Sequence, residues 1–322
     1  MNRWKNRGSK PTRTGFGEGI AEAGTLEPNL VVLGADITAS VGLDLFKERF
    51  PQRFISLGIA EQNCMAVAAG MALAGKIPVF STYAVFAAFR AADQLRISVC
   101  YNNLHVIVGG AHAGISVGPD GATHQALEDL AVVRSLPHMT VLSPCDATQA
   151  RQAALAAVRE INGPVYIRFG REAVPDFIPD NIPFIPGKAQ VLSEGNDLTL
   201  IATGHMVWEA LEASEMLKAD GIHARVINLH TLKPIDKDSI IKAASETGAI
   251  LTAEEHQIIN GLGSAVAEVV VKHHPVPMDF VGIHDSFGES GQPRELMEKY
   301  GLTSFHIYQK ALHLYQRKHI KP

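Results

Sequence analysis

The stretch Ile55-Ser-Leu-Gly58-Ile-Ala-Glu61-Gln62-Asn63 decides the fold. An apolar run ends at Gly58, an Ala- and Met-rich helix begins at Glu61 and runs to residue 73, and Gly75 closes it before a second apolar run over 77–81. Short β-branched runs separated by Ala-rich helical stretches are the pattern of a parallel sheet covered on both faces. The same alternation predicts strands over 29–33, 53–55, 105–109, 140–142 and 165–169, with helices over 43–49, 86–100 and 147–160.

The texture changes between residues 172 and 187. Pro175, Pro179, Pro183 and Pro186 recur there every three or four residues, which excludes a helix and favours an extended linker. A second alternation follows, with strands expected over 198–202, 224–228, 249–252 and 278–281. Helices are expected over 207–218, 237–246, 264–273, 293–300 and 305–317. The expectation is an α/β protein of two doubly wound domains, residues 1–186 and 187–322. No repeat of solenoid or propeller period and no low-complexity tract interrupts it.

Composition narrows the function. The 322 residues are 46% hydrophobic and 19% charged, a globular balance. Lys and Arg number 29 against 33 Asp and Glu, a net charge of −4. The basic excess of a nucleic-acid or anionic-membrane binder is missing. Cys64, Cys100 and Cys145 lie too far apart for a CxxC metal or redox pair. Residues 1–10 are basic and polar without an apolar signal-peptide core, and no apolar run reaches a membrane span, so a cytoplasmic enzyme is expected.

Two runs imitate known sites, and the histidine count invites a metal reading. Gly70-Met-Ala-Leu-Ala-Gly75-Lys76-Ile77 nearly spells a phosphate-binding loop, but Ile77 has no hydroxyl for a metal and the run follows a helix, so a helix C-cap explains it better. Gly261-Leu-Gly263-Ser-Ala-Val266 begins like a dinucleotide fingerprint, then puts Val where a small residue is needed; it reads as a structural turn. The fourteen histidines include no HExxH-type pair, and no metal ligands are expected on this chain.

The chemistry concentrates in loops that follow strands. Glu61 opens a helix, where a carboxylate alone would merely complement the helix dipole. Ser81-Thr-Tyr83-Ala-Val-Phe86-Ala-Ala-Phe89-Arg90 sets aromatics at i, i+3 and i+6, able to share one helical face as a core stripe or a stacking platform for a planar ligand. Gly109-Gly-Ala-His112-Ala-Gly-Ile-Ser-Val-Gly118-Pro-Asp120-Gly121-Ala-Thr-His124-Gln125 is too Gly-rich for a core element, and presents two imidazoles and a carboxylate on backbone that can approach a ligand closely. Ligands of parallel α/β sheets collect at such strand ends.

In order and spacing these segments resemble the pyrimidine-binding half of a transketolase followed by its C-terminal domain. The second half agrees through Thr252-Ala-Glu-Glu-His256 and Gly261-Leu-Gly263-Ser-Ala-Val266-Ala-Glu268. The resemblance runs from Arg13 to the C-terminus. It implies thiamine diphosphate as cofactor, with Glu61 hydrogen-bonding the aminopyrimidine ring and either protonated or sharing its proton. It implies that Phe86 stacks on that ring, that Tyr83 and Phe89 wall the pocket, and that Asp36 faces the thiazolium. It further implies that Arg13, Ser40, His112 and Arg171 clamp a sugar phosphate, with Arg168 a weaker rival to Arg171, and that Asp120 and His124 bind sugar hydroxyls. Glu61, His112 and His124 would then be the catalytic residues.

The family's diphosphate and Mg2+ (or Ca2+) motif contains Gly-Asp-Gly, which occurs nowhere in this sequence. The resemblance therefore implies the C-terminal subunit of a split transketolase, a cytoplasmic enzyme of the pentose phosphate type. A separate N-terminal subunit would hold the metal, with two copies of each chain in a heterotetramer. Alternatives within the family are half of a 1-deoxyxylulose-5-phosphate synthase and the β subunit of a 2-oxo acid dehydrogenase; outside catalysis, a regulatory binding subunit. The ketose donor and aldose acceptor stay open, and Pro119 and Phe89, where Tyr is common, depart from the family pattern.

Overall fold

The structure is a computed structural model that describes residues 4–319; the extreme ends of the two expected domains, residues 1–3 and 320–322, lie outside the described residues. Its strands are β1 (Ser9–Pro11), β2 (Leu30–Gly34), β3 (Phe54–Ser56), β4 (Ile77–Tyr83), β5 (Ile107–Ala111), β6 (Thr140–Leu142), β7 (Val165–Arg168), β8 (Ala173–Pro175), β9 (Gln190–Ser193), β10 (Leu198–Ala202), β11 (Ala224–Asn228), β12 (Thr231–Lys233), β13 (Ile250–Gln257) and β14 (Met278–Ile283). In β2, β5, β10 and β11 every residue is buried, as strands covered on both faces must be.

These strands form a seven-stranded sheet in the order β12-β6-β7-β5-β4-β2-β3, a five-stranded sheet in the order β14-β13-β10-β11-β9, and a β1-β8 ribbon. The inner neighbours are parallel, as the alternation predicts. The edge strands β9 and β12 and the β1-β8 ribbon pair antiparallel, and sequence reading had not anticipated them. Each is three or four residues long.

Four expectations change. The helix Thr12–Leu26 was not anticipated, because its glycines argue against a helix. They are there for contact: a Cβ on Gly15 would lie 1.9 Å from the Ala147 carbonyl oxygen, and one on Gly17 would lie 1.8 Å from that of Gly42. The expected helix over 86–100 is a composite of π segments, Phe86–Arg90 and Leu95–Cys100, around a short α turn. The 172–187 segment is extended but packed: Phe177 and Ile178 are buried, and their N–H groups donate to Asp146 at 2.9 and 2.6 Å. Lastly, the Gly-rich run after β5 is core after all; Ile115, Ser116 and Val117 are buried in the turn Ile115–Asp120.

The two decoy runs resolve simply. Gly75, at φ 81°, follows the helix Glu61–Leu73 and leads into β4. Gly261 precedes the helix Leu262–His273, whose first N–H groups, those of Leu262 and Gly263, donate to the Glu254 carboxylate at 2.6 and 2.8 Å. The chain's own carboxylate thus takes the place that a phosphate would take at a dinucleotide turn. Among the described residues no helix is long and apolar enough to cross a membrane.

Candidate active site

The strands β2, β3, β4, β5 and β7 run parallel, so the loops leaving their C-terminal ends meet at one edge of the large sheet. Asp36 and Ser40 follow β2, Glu61 follows β3, Phe86 follows β4, His112 through His124 follow β5, and Arg171 follows β7. Arg13 reaches the same edge from the first turn of the helix Thr12–Leu26. Asp36 and His112 hold φ of 63° and 55°, a conformation uncommon for residues with a Cβ and frequent at working sites.

Arg13, Ser40 and His112 form one cluster. Arg13 Nη1 donates to the Ser40 carbonyl at 3.1 Å, and His112 Nε2 lies 3.0 Å from the same oxygen. A carbonyl only accepts, so Nε2 carries the proton and Nδ1 bears a lone pair. That Nδ1 is buried and has no hydrogen-bond partner among the described residues. Burial first, then the Arg13 and Arg171 charges, lower the His112 pKa to about 4, while its bond to Ser40 opposes them. His112 is therefore a neutral ring, and it stacks on Tyr83 at 4.3 Å. Arg171 donates to Asp120 at 3.1 Å. His124 meets Tyr83 and Phe86 edge-on at 5.6 and 5.4 Å, its Nδ1 2.9 Å from the Thr123 hydroxyl.

Glu61 is buried and receives a 3.1 Å hydrogen bond from Arg90. The guanidinium carbon of Arg90 lies 3.6 Å from the centroid of Phe86. The expected aromatic stripe does not close: Tyr83 and Phe86 are 5.7 Å apart, but Phe89 is 46% exposed. The cause is the π turn, whose i to i+5 bond from Ala91 N–H to Phe86 O widens the spiral. The wider turn swings Phe89 away, while Arg90, four residues after Phe86, keeps to that ring's face. The sequence alone gives Arg90 no role, since its second contact, Glu61, lies 29 residues away.

Residues outside this edge hold it in place. Arg168 is not an anion ligand here. It is buried, bonds Asp129 at 3.0 Å, and donates to the carbonyls of Ala126 and Glu255. Glu255 Oε1 accepts from Ser116 N–H at 2.6 Å, and Oε2 lies 3.4 Å from His205 Nδ1. Burial alone raises the Glu255 pKa, but His205, Arg168 and the Ser116 N–H outweigh it and hold the carboxyl below its usual range. Gln125 donates from Nε2 to Ile115, Gly118 and Glu289 carbonyls, tying the loop to the second sheet's half of the chain. Among the described residues no group of three or more His, Cys, Asp or Glu side chains is arranged to hold a metal ion.

Comparison with known proteins identifies the architecture. The family description "Transketolase, pyrimidine binding domain" matches residues 9–176, and "Transketolase, C-terminal domain" matches residues 187–307. The 6-deoxy-6-sulfo-D-fructose transketolase subunit SqwH of Clostridium sp. (strain MSTE9) is 41% identical, over 94% of this chain and 94% of that one. A putative transketolase C-terminal section from Methanocaldococcus jannaschii is 42% identical, over 94% of this chain and 96% of that one. A solved split gene transketolase, an inactive beta4 tetramer, superposes with a TM-score of 0.88 at 50% identity, over 95% of this chain and 99% of that one. The chain belongs to the transketolase family, of which it carries the pyrimidine-binding and C-terminal domains.

Proposed function

We propose that this chain is the C-terminal subunit of a split, thiamine-diphosphate-dependent transketolase, moving a two-carbon ketol unit from a ketose phosphate to an aldose phosphate. The observation that carries the reading is the strand-end cluster, where a buried carboxylate, an aromatic platform and two guanidiniums share one edge. The aminopyrimidine fits that edge on this structure's own terms. A planar N–H donor, the Arg90 guanidinium, already lies against Phe86 and bonds Glu61.

When bound, thiamine diphosphate supplies the carbanion chemistry. Glu61 holds or shares a proton with the ring nitrogen that faces it. Phe86 stacks on the ring, Tyr83 walls the pocket with Phe89 at its rim, and Asp36 lies toward the thiazolium side. Arg13 and Arg171 bring the positive charge for a terminal anion, as guanidinium forks do. Ser40 and neutral His112 add polar contacts; the unpartnered His112 Nδ1 is an acceptor awaiting a hydroxyl. Asp120 and His124 orient sugar hydroxyls and exclude the wrong configuration.

The diphosphate and its Mg2+ (or Ca2+) belong in this reading to a partner chain bearing Gly-Asp-Gly. The assembly would be two copies of each chain, in the cytoplasm, with the domain boundary near residue 187. Support comes from the exposed apolar residues Ile59, Phe89, Ile97 and Tyr101, which lie on the segments carrying Glu61 and Phe86. Large apolar side chains left exposed on those segments are what a covering partner chain would bury. The relative named for 6-deoxy-6-sulfo-D-fructose leaves the terminal anion open between phosphate and sulfonate.

The test is a ketol-transfer assay on this chain reconstituted with its Gly-Asp-Gly partner, offered pentose phosphates and sulfosugars in parallel. Activity that needs both chains and thiamine diphosphate is expected, and Glu61→Ala should abolish it while the thermal melt stays unchanged. Full turnover in Glu61→Ala would overturn the reading. Turnover of a 2-oxo acid in place of a sugar would move the chain to its oxo acid dehydrogenase relatives.

A further inference from the structure

Arg90 is a charged residue at the site edge to which the ketol-transfer reading assigns no task. Its side chain is 49% exposed, whereas Glu61, its partner, is 5% exposed. Its guanidinium is a flat, π-delocalised N–H donor. It makes two contacts at once: a 3.1 Å hydrogen bond to Glu61 Oε1 and a face contact 3.6 Å above Phe86. These are the two contacts that the proposed function gives to the aminopyrimidine, which is likewise flat, π-delocalised and able to present N–H to a carboxylate. Two planar groups cannot hold the same carboxylate oxygen and the same ring face together.

We propose that Arg90 is a resident stand-in for the cofactor's aminopyrimidine, seated between Glu61 and Phe86 until the incoming ring displaces it. The inference rests on the proposed function and adds a gate to it. While the seat is free of cofactor, the guanidinium keeps a buried carboxylate paired, which would otherwise be costly. It also holds the gap between Glu61 and Phe86 at the width of one planar group. Arg90 lies four residues after Phe86, a spacing that sets the two side chains side by side on a helix, and the side chain's exposure gives it somewhere to go. Cofactor loading is then an exchange of one planar donor for another, and Arg90 sets its rate.

Two measurements test this. In the reconstituted complex, stopped-flow association of thiamine diphosphate should be at least about tenfold faster for Arg90→Ala than for wild type. Arg90→Lys, charged but not planar, should fall between. Rates equal to or below wild type in both variants would overturn the gate. In the isolated wild-type chain, the 15N-detected Arg90 Nε–H should show a ring-current shift that Phe86→Leu removes, and millimolar 4-amino-2-methylpyrimidine should return it to the solvent position. An unshifted Arg90 signal would overturn the seat itself, without any need for a variant that folds. A wild-type complex that binds no thiamine diphosphate would sink the cofactor reading and this inference with it. Normal binding with unchanged variant rates would sink only the role of Arg90.

Discussion

His112 shows how one residue's surroundings fix its chemistry. The ring is wedged against Tyr83, donates to the Ser40 carbonyl, and has two guanidiniums nearby. With its pKa lowered from 6.5 to about 4, the folded chain resists a proton that the unfolded chain accepts. Between pH 6.5 and 4 the unfolded state therefore binds more protons at this position, and His112 withdraws stability as pH falls through that window. An NMR titration of His112 should show half-protonation near pH 4, and a midpoint above 6 would contradict the packing described. In the proposed reading, the charge that meets an anion at neutral pH therefore has to come from Arg13 and Arg171, not from His112. Glu61, His112 and His124 were legible in sequence because each sits in a motif just past a strand. Arg90 was not legible, since its partner Glu61 comes from a different helix, 29 residues away.

At the level of elements, the helix Thr12–Leu26 deserves the closest look because it carries Arg13. Its glycines let its backbone touch that of the helix Ala147–Arg159 and of the Ser40 loop. Gly15→Ala must push a methyl into the Ala147 carbonyl, an overpacking that costs about 1–3 kcal/mol. Urea unfolding of that variant should show the loss, together with weaker anion binding through a displaced Arg13. Gly70 gives the opposite expectation. It lies inside the helix Glu61–Leu73 with nothing within 4 Å of a built Cβ. Gly70→Ala should stabilise the isolated chain by about 0.5–1 kcal/mol. A loss at Gly70 or no change at Gly15 would contradict this account. Long elements with a clear period were legible; the edge strands β9 and β12 were not, because each begins and ends on a polar residue and holds at most two apolar ones. The glycine-rich helix was hidden because its reason for glycine lies in a partner far along the chain.

The two large sheets are joined by charged groups as well as by apolar contact. The short strand β12 comes from the second half of the chain yet pairs with β6 of the first sheet. Arg168 joins Asp129 to the Glu255 carbonyl, and Glu255 in turn pins the Ser116 turn beneath His112 and His124. The run Thr252-Ala-Glu-Glu-His256, noticed in sequence only as a family likeness, is thus a structural device. Glu254 caps a helix, Glu255 latches the active-site loop, and buried His256 lies between them and the Asp129 helix. Arg168→Ala leaves the buried Asp129 carboxylate without its cation, a change that typically costs about 3–5 kcal/mol. The variant should lower the urea midpoint by a matching amount, and an unchanged midpoint would mean that the brace is not structural. No sequence pattern reveals this latch, since its members lie in four separate segments and each alone reads as an ordinary core polar residue.

The central claim is that this chain supplies the pyrimidine side of a thiamine diphosphate site completed by a second chain. Calorimetric titration of thiamine diphosphate with Mg2+ into this chain, into its Gly-Asp-Gly partner and into their mixture tests it most directly. The account predicts tight binding in the mixture alone, at one cofactor per copy of this chain, and weakened binding when Glu61→Ala replaces wild type. Equal affinity in the partner alone and in the mixture, or no binding in the mixture, would contradict it.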